Sequence, residues 1–594
     1  MAQNIIKERI AALRAFMLKE GVQAFVVPST DPHQSEYVAA HWEARAWISG
    51  FTGSAGTVAV TMTRAGLWTD SRYFLQAASQ LKDTGIDLYK LKIAGTPTIA
   101  QMIAQELPKG SVVGVDGNVL SVSEAEALRK ELSEFGLQLK LVRDPFEEIW
   151  TGRPEIPSGK VRIQKLEHAG LSAAVKMTRL RHWMDQKRLD CFLVTALDEI
   201  AWLLNIRGTD VHCNPVLISY VALLKDECHV FISKEKLTPE AVLHFKEEGC
   251  TLHGYEDISA FLSGLRGLSV GFSPSQLCAS LYACLDASCT KTPTLSFIQV
   301  LKAIKNPVEI EGYRKAMRRD GVAMCRFLMW LETALDEGTQ TEVSVSRKLR
   351  DLRAEQDLFL DESFDTIAGY GYHGAIVHYE PTAETDIPLE KKGFLLLDSG
   401  AQYEDGTTDI TRTIPLGELS MEEREDYTLI LKGNLDMAMA VFPEGTRGSQ
   451  VDILARLPLW KRHMNYLHGT GHGVGSCLNV HEGPHSIRME ENPMTLMAGM
   501  TVTDEPGIYK EGKWGVRTEN VLLIENRGEG MFTGYLGFEV LTLCPISTSP
   551  IVRELLDEEE IVFLNAYHER VFKTLSPLLR DSEIQWLREA TRPI

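Results

Sequence analysis

The first half of this chain carries the same segment twice, and that repeat limits its possible folds more than any other feature. Residues 13–27, LRAFMLKEGVQAFVV, align without a gap on residues 180–194, LRHWMDQKRLDCFLV. Leu13 matches Leu180, Arg14 matches Arg181, Met17 matches Met184 and Phe25 matches Phe192, and Asp31 and Asp198 follow at the same offset. Each copy reads as an amphipathic helix, a short link and a buried strand; in the first, Ile6, Ile10, Leu13 and Met17 recur at helical spacing. A looser echo joins residues 47–50 to 204–208. A repeat unit of about 150 residues is domain-sized, so two homologous α/β domains are expected.

The Pro-rich run 151–160, TGRPEIPSGK, serves as a linker between the copies. A second boundary falls near Lys305-Asn306-Pro307, after which residues 308–331 read as a new long helix. Three domains follow: 1–155, 156–305 and 306–594, the last closed by a polar helical tail from about Asp557. This third part has Gly-rich loops and hairpins and reads as α+β. The 594 residues are more than one core usually holds.

Composition excludes several functions. There are 62 basic against 81 acidic residues, a net charge of -19, and no cluster of Lys and Arg, so no nucleic acid is expected as partner. The N-terminus carries charges throughout and lacks a signal peptide's apolar core, and no apolar run is long enough to cross a bilayer. The ten scattered cysteines form no CxxC pair and read as reduced, buried thiols; the expected location is the cytoplasm.

The chemistry lies in the third part. The apolar run FLLLDSG ends at Asp398 and its neighbours, a turn through Glu404-Asp405-Gly406 follows, and TTDITRTI alternates like a strand with Thr407, Asp409 and Thr411 on one face. A second hairpin repeats this layout. TVTDEPG sets Glu505 at a strand end, EGKWG turns, and VRTENVLLI returns with Arg517 and Glu519 two apart on one side. Any one of these acids alone reads as an exposed turn residue. Four converging on an interior would repel one another, and cations resolve that conflict.

His468, His472, His481 and His485 fall within eighteen residues of a glycine-rich stretch. The spacing of His468 and His472 mimics HExxH, yet the Glu is absent and Gly469, Gly471 and Gly473 would break the helix, so a loop site is expected. One His with four carboxylates is an oxygen-rich set. It suits Mn²⁺ best and admits Co²⁺, Zn²⁺ or Fe²⁺. Two such ions can share it roughly 3.5–4 Å apart, with the water between them as hydrolytic nucleophile.

The set Asp398, Asp409, His472, Glu505 and Glu519 resembles the ligand pattern of the pita-bread metallopeptidases (peptidase family M24), and DSGAQYEDGTTDITRT, HGTGHGVG, TDEPGIY and VRTEN match in order and rough spacing. The two creatinase-like N-terminal domains, the string WTDSRYFLQA and the tail ending in TRPI are similar to the long, three-domain Xaa-Pro aminopeptidase branch. That resemblance implies a metal-dependent aminopeptidase that removes the first residue of small peptides with proline second, with two metal ions per chain and a homodimer. It implies that Asp398, Asp409, His472, Glu505 and Glu519 hold the ions and that Glu505 doubles as general base. His378 and His481 would contact the scissile region, His468 and Arg517 would support them, and Arg72 would reach the peptide beyond the bond. Tyr372-His373 departs from a familiar Pro-Asn pair without touching a ligand position. Proline's nitrogen has no N–H in the chain, so its pocket must recognise the ring by shape. The rival readings are a prolidase restricted to Xaa-Pro dipeptides, a metal-free hydrolase of creatinase type, and a non-catalytic peptide- or protein-binding module on the same fold.

Overall fold

The computed structural model describes residues 2–594, with side chains from Asn4 onward. Helix α1 (Ala2–Glu20) buries Ile6, Ile10, Leu13 and Met17, and strand β1 (Ala24–Val27) is buried along its length. A strand covered on both faces belongs in the middle of a layered domain. β1 is accordingly central. On one side lie β2 (Thr57–Thr61), β3 (Ala65–Thr69) and β4 (Asp87–Lys90); on the other, β5 (Val112–Asp116) and β6 (Gln138–Val142) run parallel to it. The order is β4-β3-β2-β1-β5-β6.

The second copy opens with α2 (Ala173–Lys187), whose buried Leu180 and Met184 take the places of Leu13 and Met17. Its strands are β7 (Cys191–Val194), β8 (Ser219–Leu224), β9 (Cys228–Ile232), β10 (Cys250–His253), β11 (Ser269–Phe272) and β12 (Thr290–Pro293). They follow the order β10-β9-β8-β7-β11-β12, with parallel and antiparallel pairs in the same places as the first sheet. The shared acid differs in use. Asp31 accepts from the N–H groups of His33 and Ser35 in a turn, whereas Asp198 lies in the first turn of a helix (Leu197–Leu204). Residues 151–160 run without helix or strand. Both sheets lie in one unit, residues up to Gln164 with Leu171–Ile298; Lys165–Gly170 and Gln299–Ile594 form the other.

In the second unit α3 (Pro307–Ala334) starts where Asn306 accepts from the N–H groups of Val308 and Glu309 and Glu309 reaches back to Asn306 N–H, with Pro at the first helical position. Helices α4 (Glu342–Ala354), α5 (Met421–Ala438) and α6 (Gly448–Trp460) follow, and the tail is α7 (Glu558–Leu575) and α8 (Asp581–Ala590). The strands between them are short and change sheets. β13 (Ile367–Tyr370), β14 (Phe394–Ser399) and β17 (Ile410–Pro415) make one sheet, while β15 (Ala401–Tyr403) and β16 (Gly406–Thr407) pair in another. TTDITRTI is therefore not one alternating strand. It breaks at Thr408-Asp409, and because residues 406–414 are buried throughout, alternation does not separate an inner from an outer face.

The second hairpin breaks likewise. β20 (Thr501–Asp504) pairs with β23 (Asn520–Glu529) and β21 (Gly507–Lys510) with β22 (Trp514–Arg517), leaving Glu505-Pro506 and Thr518-Glu519 between sheets. β24 (Gly534–Val540) flanks β23. Residues at such breaks lose their ladder partners, so their backbone groups must bond elsewhere. Glu505 N–H donates to Thr470 O at 2.8 Å and Glu519 N–H to Thr411 O at 3.1 Å. The second hairpin is thus stitched to the first at Glu519 and to the histidine-bearing segment at Glu505.

Candidate metal centre

Three of the four acids stand at these breaks and Asp398 stands one residue short of the end of β14. His472 arrives on β18 (Gly471–Gly473), a short strand paired with β19 (Glu482–Ile487), so its segment is not the plain loop expected. The flanking glycines have a steric reason: a Cβ on Gly471 would lie 1.9 Å from Thr503 O, closer than any side chain permits. That approach puts His472 N–H 3.0 Å from Thr503 Oγ1, which donates on to Glu505 Oε1 at 3.3 Å.

Asp409, His472 and Glu519 each offer a ligand atom within 4.8 Å of the others'. His472 Nε2 is 3.5 Å from both Asp409 Oδ2 and Glu505 Oε1. Its Nδ1 faces Gly473 O at 2.9 Å, a carbonyl that only accepts, which assigns a proton to Nδ1 and leaves Nε2 as the nitrogen turned toward the carboxylates. With Nδ1 turned to that carbonyl, Nε2 is the atom that would bind a cation lying among the carboxylates. Asp398 Oδ2 accepts from Arg517 Nη2 at 2.6 Å, while Asp398 Oδ1 is buried with no hydrogen-bond partner among the described residues. Thr411 Oγ1 donates to Glu519 Oε2 at 2.7 Å and accepts from Arg517 Nε at 3.1 Å.

The electrostatics show the same lack of positive charge. Burial, then Asp398 and Glu505, push Asp409 well above the usual carboxylate range. Burial, then Asp409 and Asp398, do the same to Glu519. Burial raises Glu505 to about 7 against the opposing pull of Arg517, with Asp398 adding to the rise. Four ionised carboxylates against the Arg517 guanidinium leave three surplus negative charges; one divalent cation still leaves a deficit, and two remove it. The donor set fits two hard or borderline divalent cations.

The remaining expected residues divide between the units. His481 packs edge-on against His472, ring centroids 4.4 Å apart. His468 Nε2 meets Tyr509 Oη at 2.9 Å, and Tyr509 Oη accepts from Arg517 Nη1 at 2.7 Å, so His468, Tyr509, Arg517 and Asp398 form one chain. His378 follows Val377, whose carbonyl accepts from Arg517 Nη1 at 3.3 Å. Arg72 belongs to the N-terminal unit, where its fork holds Asp70 at 2.9 and 2.8 Å. His485 is a buried structural residue: Nε2 faces Thr501 O at 2.7 Å, and burial lowers its pKa to about 4. Tyr372 is exposed and His373 buried.

Several participants gave no recognisable signal. Tyr509 is half-buried, its hydroxyl pushed up to about 12, and Thr411 and Thr503 are hydroxyls that bond Glu519 and Glu505. Glu482, beside His481, is buried with Lys302 (2.7 Å) and Lys305, about 180 positions away. Only the alternation read in TTDITRTI hints at Thr411; the lysine pairing is invisible in sequence.

Sequence profiles agree with this architecture. Metallopeptidase family M24 matches residues 311–526 and its C-terminal region 534–594, and two creatinase/prolidase N-terminal profiles match 9–147 and 152–309. The chain is similar to Aminopeptidase P2 of Arabidopsis thaliana, 40% identical with 99% of this chain and 89% of that protein covered. It is equally similar to Xaa-Pro aminopeptidase ApepP of Drosophila melanogaster, 40% identical with 98% and 99% covered. Among solved structures, an X-prolyl aminopeptidase from Caenorhabditis elegans, described as a cytosolic enzyme with a di-nuclear active site, superposes with a TM-score of 0.95, 36% identity and 99% and 100% coverage. An Xaa-Pro dipeptidase from Bacillus anthracis is 26% identical with a TM-score of 0.52, and covers 63% of this chain and 99% of its own. Two creatinase-like N-terminal domains before an M24 domain, with similarity to such relatives over nearly the full length, place this chain in metallopeptidase family M24, in its Xaa-Pro aminopeptidase (aminopeptidase P) branch.

Proposed function

We propose that this protein is a metal-dependent aminopeptidase that releases the N-terminal residue of small peptides whose second residue is proline. One observation carries the reading: Asp398, Asp409, His472, Glu505 and Glu519 converge in a buried space whose charge is unbalanced without cations. These five side chains hold two divalent ions, Mn²⁺ in preference to Co²⁺ or Zn²⁺ on the hardness of an oxygen-rich set. When bound, such ions supply Lewis acidity toward the scissile carbonyl and bring water's deprotonation near neutral pH.

The chain's own residues do the rest. Glu505 receives the proton of the attacking water, held in place by Thr503 Oγ1 and by its backbone bond to Thr470. His481 and His378 donate to the scissile region as negative charge develops on the carbonyl oxygen. Arg517 and His468, joined through Tyr509, keep Asp398 and the 377–378 segment in position. The proline ring is selected by shape, its nitrogen having no N–H to recognise. Arg72 is assigned to the peptide beyond the scissile bond; Arg72→Ala raises KM for tripeptides and longer substrates while kcat changes little.

A homodimer in the cytoplasm completes the reading. The nearly fully exposed Met531 and Phe532 at a hairpin tip offer apolar surface of the kind a partner covers, and none of the ten cysteines is in a disulfide among the described residues. Among those residues no helix is long and apolar enough to cross a membrane. The deciding experiment measures bound metal and assays Xaa-Pro-Xaa against Xaa-Pro. Two equivalents of divalent metal and turnover of the tripeptide are expected, with Glu505→Gln folding normally but losing about 10³-fold or more in kcat. Turnover confined to the dipeptide would make the protein a prolidase.

A further inference from the structure

His378 lies in a segment without a strand partner of its own. After β13 the chain makes a 3-10 turn, Gly371–Ala375, and then a turn closed by Tyr379 N–H donating to Ile376 O at 3.1 Å, with His378 its third residue. The turn rests on β22: a Cβ on Gly515 would lie 1.7 Å from Gly374 O. Arg517 at the end of β22 supplies one anchor, through Val377 O at 3.3 Å.

The other anchor is a carboxylate outside the metal-ligand set. Glu342, the first residue of α4, is fully buried. It accepts from Tyr370 N–H at 2.8 Å, from His373 Nδ1 at 2.9 Å and from Tyr379 Oη at 2.8 Å, and the rings of His373 and Tyr379 stack with centroids 4.3 Å apart. A buried carboxylate is retained only where its hydrogen bonds are met. Here all three donors flank or belong to the segment that carries His378, and the last of them is the residue next to it. Tyr370 ends β13, so the carboxylate ties the segment's beginning, middle and end to one point on a rigid helix.

We infer that Glu342 is a positioning residue: through His373 and Tyr379 it holds residues 371–379, and with them His378, in register with the carboxylate centre. The inference rests on the aminopeptidase reading, since it assumes that His378 contacts the substrate. It acts through His378 and leaves the metal ligands untouched.

The test uses the full-length, metal-loaded enzyme with an Xaa-Pro-Xaa peptide. Glu342→Gln is expected to lower kcat about 10- to 100-fold, the cost of a displaced contact group, with bound metal unchanged and KM altered far less. Tyr379→Phe, which removes the hydroxyl's bond to Glu342 together with its contacts to Thr385, gives a smaller loss of the same kind and decides the matter if Glu342→Gln does not fold. In a His378→Ala background the same substitutions should cost less than about two-fold further, because the group they position is gone. A purely structural role predicts the opposite, losses that add fully to His378→Ala or that follow lost metal. Either of those results, or near-normal kcat in both variants, overturns the inference. A metal-loaded wild-type protein that cleaves no Xaa-Pro bond removes the functional reading itself, whatever the variants do.

Discussion

Arg517 shows how much one side chain can decide. Its guanidinium is buried and donates to Asp398 Oδ2, Thr411 Oγ1, Tyr509 Oη and Val377 O, touching a buried acid, the first hairpin and the His378 segment at once. An ammonium keeps the charge but loses the planar fork that reaches these acceptors together. Arg517→Lys is expected to lower metal affinity and kcat by about 10- to 100-fold each, read by metal titration and steady-state kinetics. His568 acts on stability instead. It is buried in α7, its Nε2 accepts from Ile546 N–H at 3.1 Å, and burial lowers its pKa to about 4. The unfolded chain binds this proton below its ordinary value of 6.5 while the folded chain resists it to about 4. Its contribution is therefore complete above pH 6.5 and is lost as pH falls through that window, by about 3 kcal/mol in all. Urea melts of the metal-free protein between pH 7.5 and 4.5 should steepen accordingly, and His568→Gln should flatten the curve. Sequence spacing paired Arg517 with Glu519 and left His568 unremarked, since a histidine's environment depends on what packs against it.

Among the elements, the tail helix reaches beneath the site without contributing a ligand. α7 buries Ile561, Leu564, Tyr567, Val571 and Leu575 in the core of the second unit. Tyr567 Oη accepts from Arg412, and that buried guanidinium also donates to the carbonyls of Thr411, Glu519, Cys544 and Pro545 and to Asn520 Oδ1. Arg412 thereby holds the two sheet breaks together from behind. Deleting residues 557–594 removes no metal ligand, yet the product is expected to be insoluble or unable to hold metal, checked by soluble yield and bound metal per chain. Arg412→Met should destabilise by about 3–5 kcal/mol, because its acceptors are left buried and unpaired. The tail was legible in sequence as a polar helix; its contact with Arg412, about 155 positions away, was not.

At the scale of the whole molecule, one unit carries the two sheets and the other the carboxylate centre. Ions bound only to the folded second unit stabilise that unit alone, by about 2.7 kcal/mol when free metal is 100 times Kd. Calorimetry should resolve two unfolding transitions, of which only one shifts downward on chelation and recovers with Mn²⁺. Movement of both together would mean that the units melt as one.

The sequence by itself determined the repeated α/β architecture, the helix spacing of α1 and α2, the glycine-bounded hairpins and the carboxylate and histidine types available to a metal site. These are local patterns or chemical types, readable wherever one face meets solvent or a donor set has a recognised composition. Tertiary structure alone decided that the hairpin strands break at Asp409 and Glu519, because alternation carries no information where residues 406–414 are buried on every side. It also decided which partners hold the buried carboxylates: Thr411 on Glu519, Arg517 on Asp398, the lysines on Glu482 and the donors on Glu342. Most of those pairs lie a hundred or more residues apart, and they are brought into contact by the packing of sheets that no local pattern specifies.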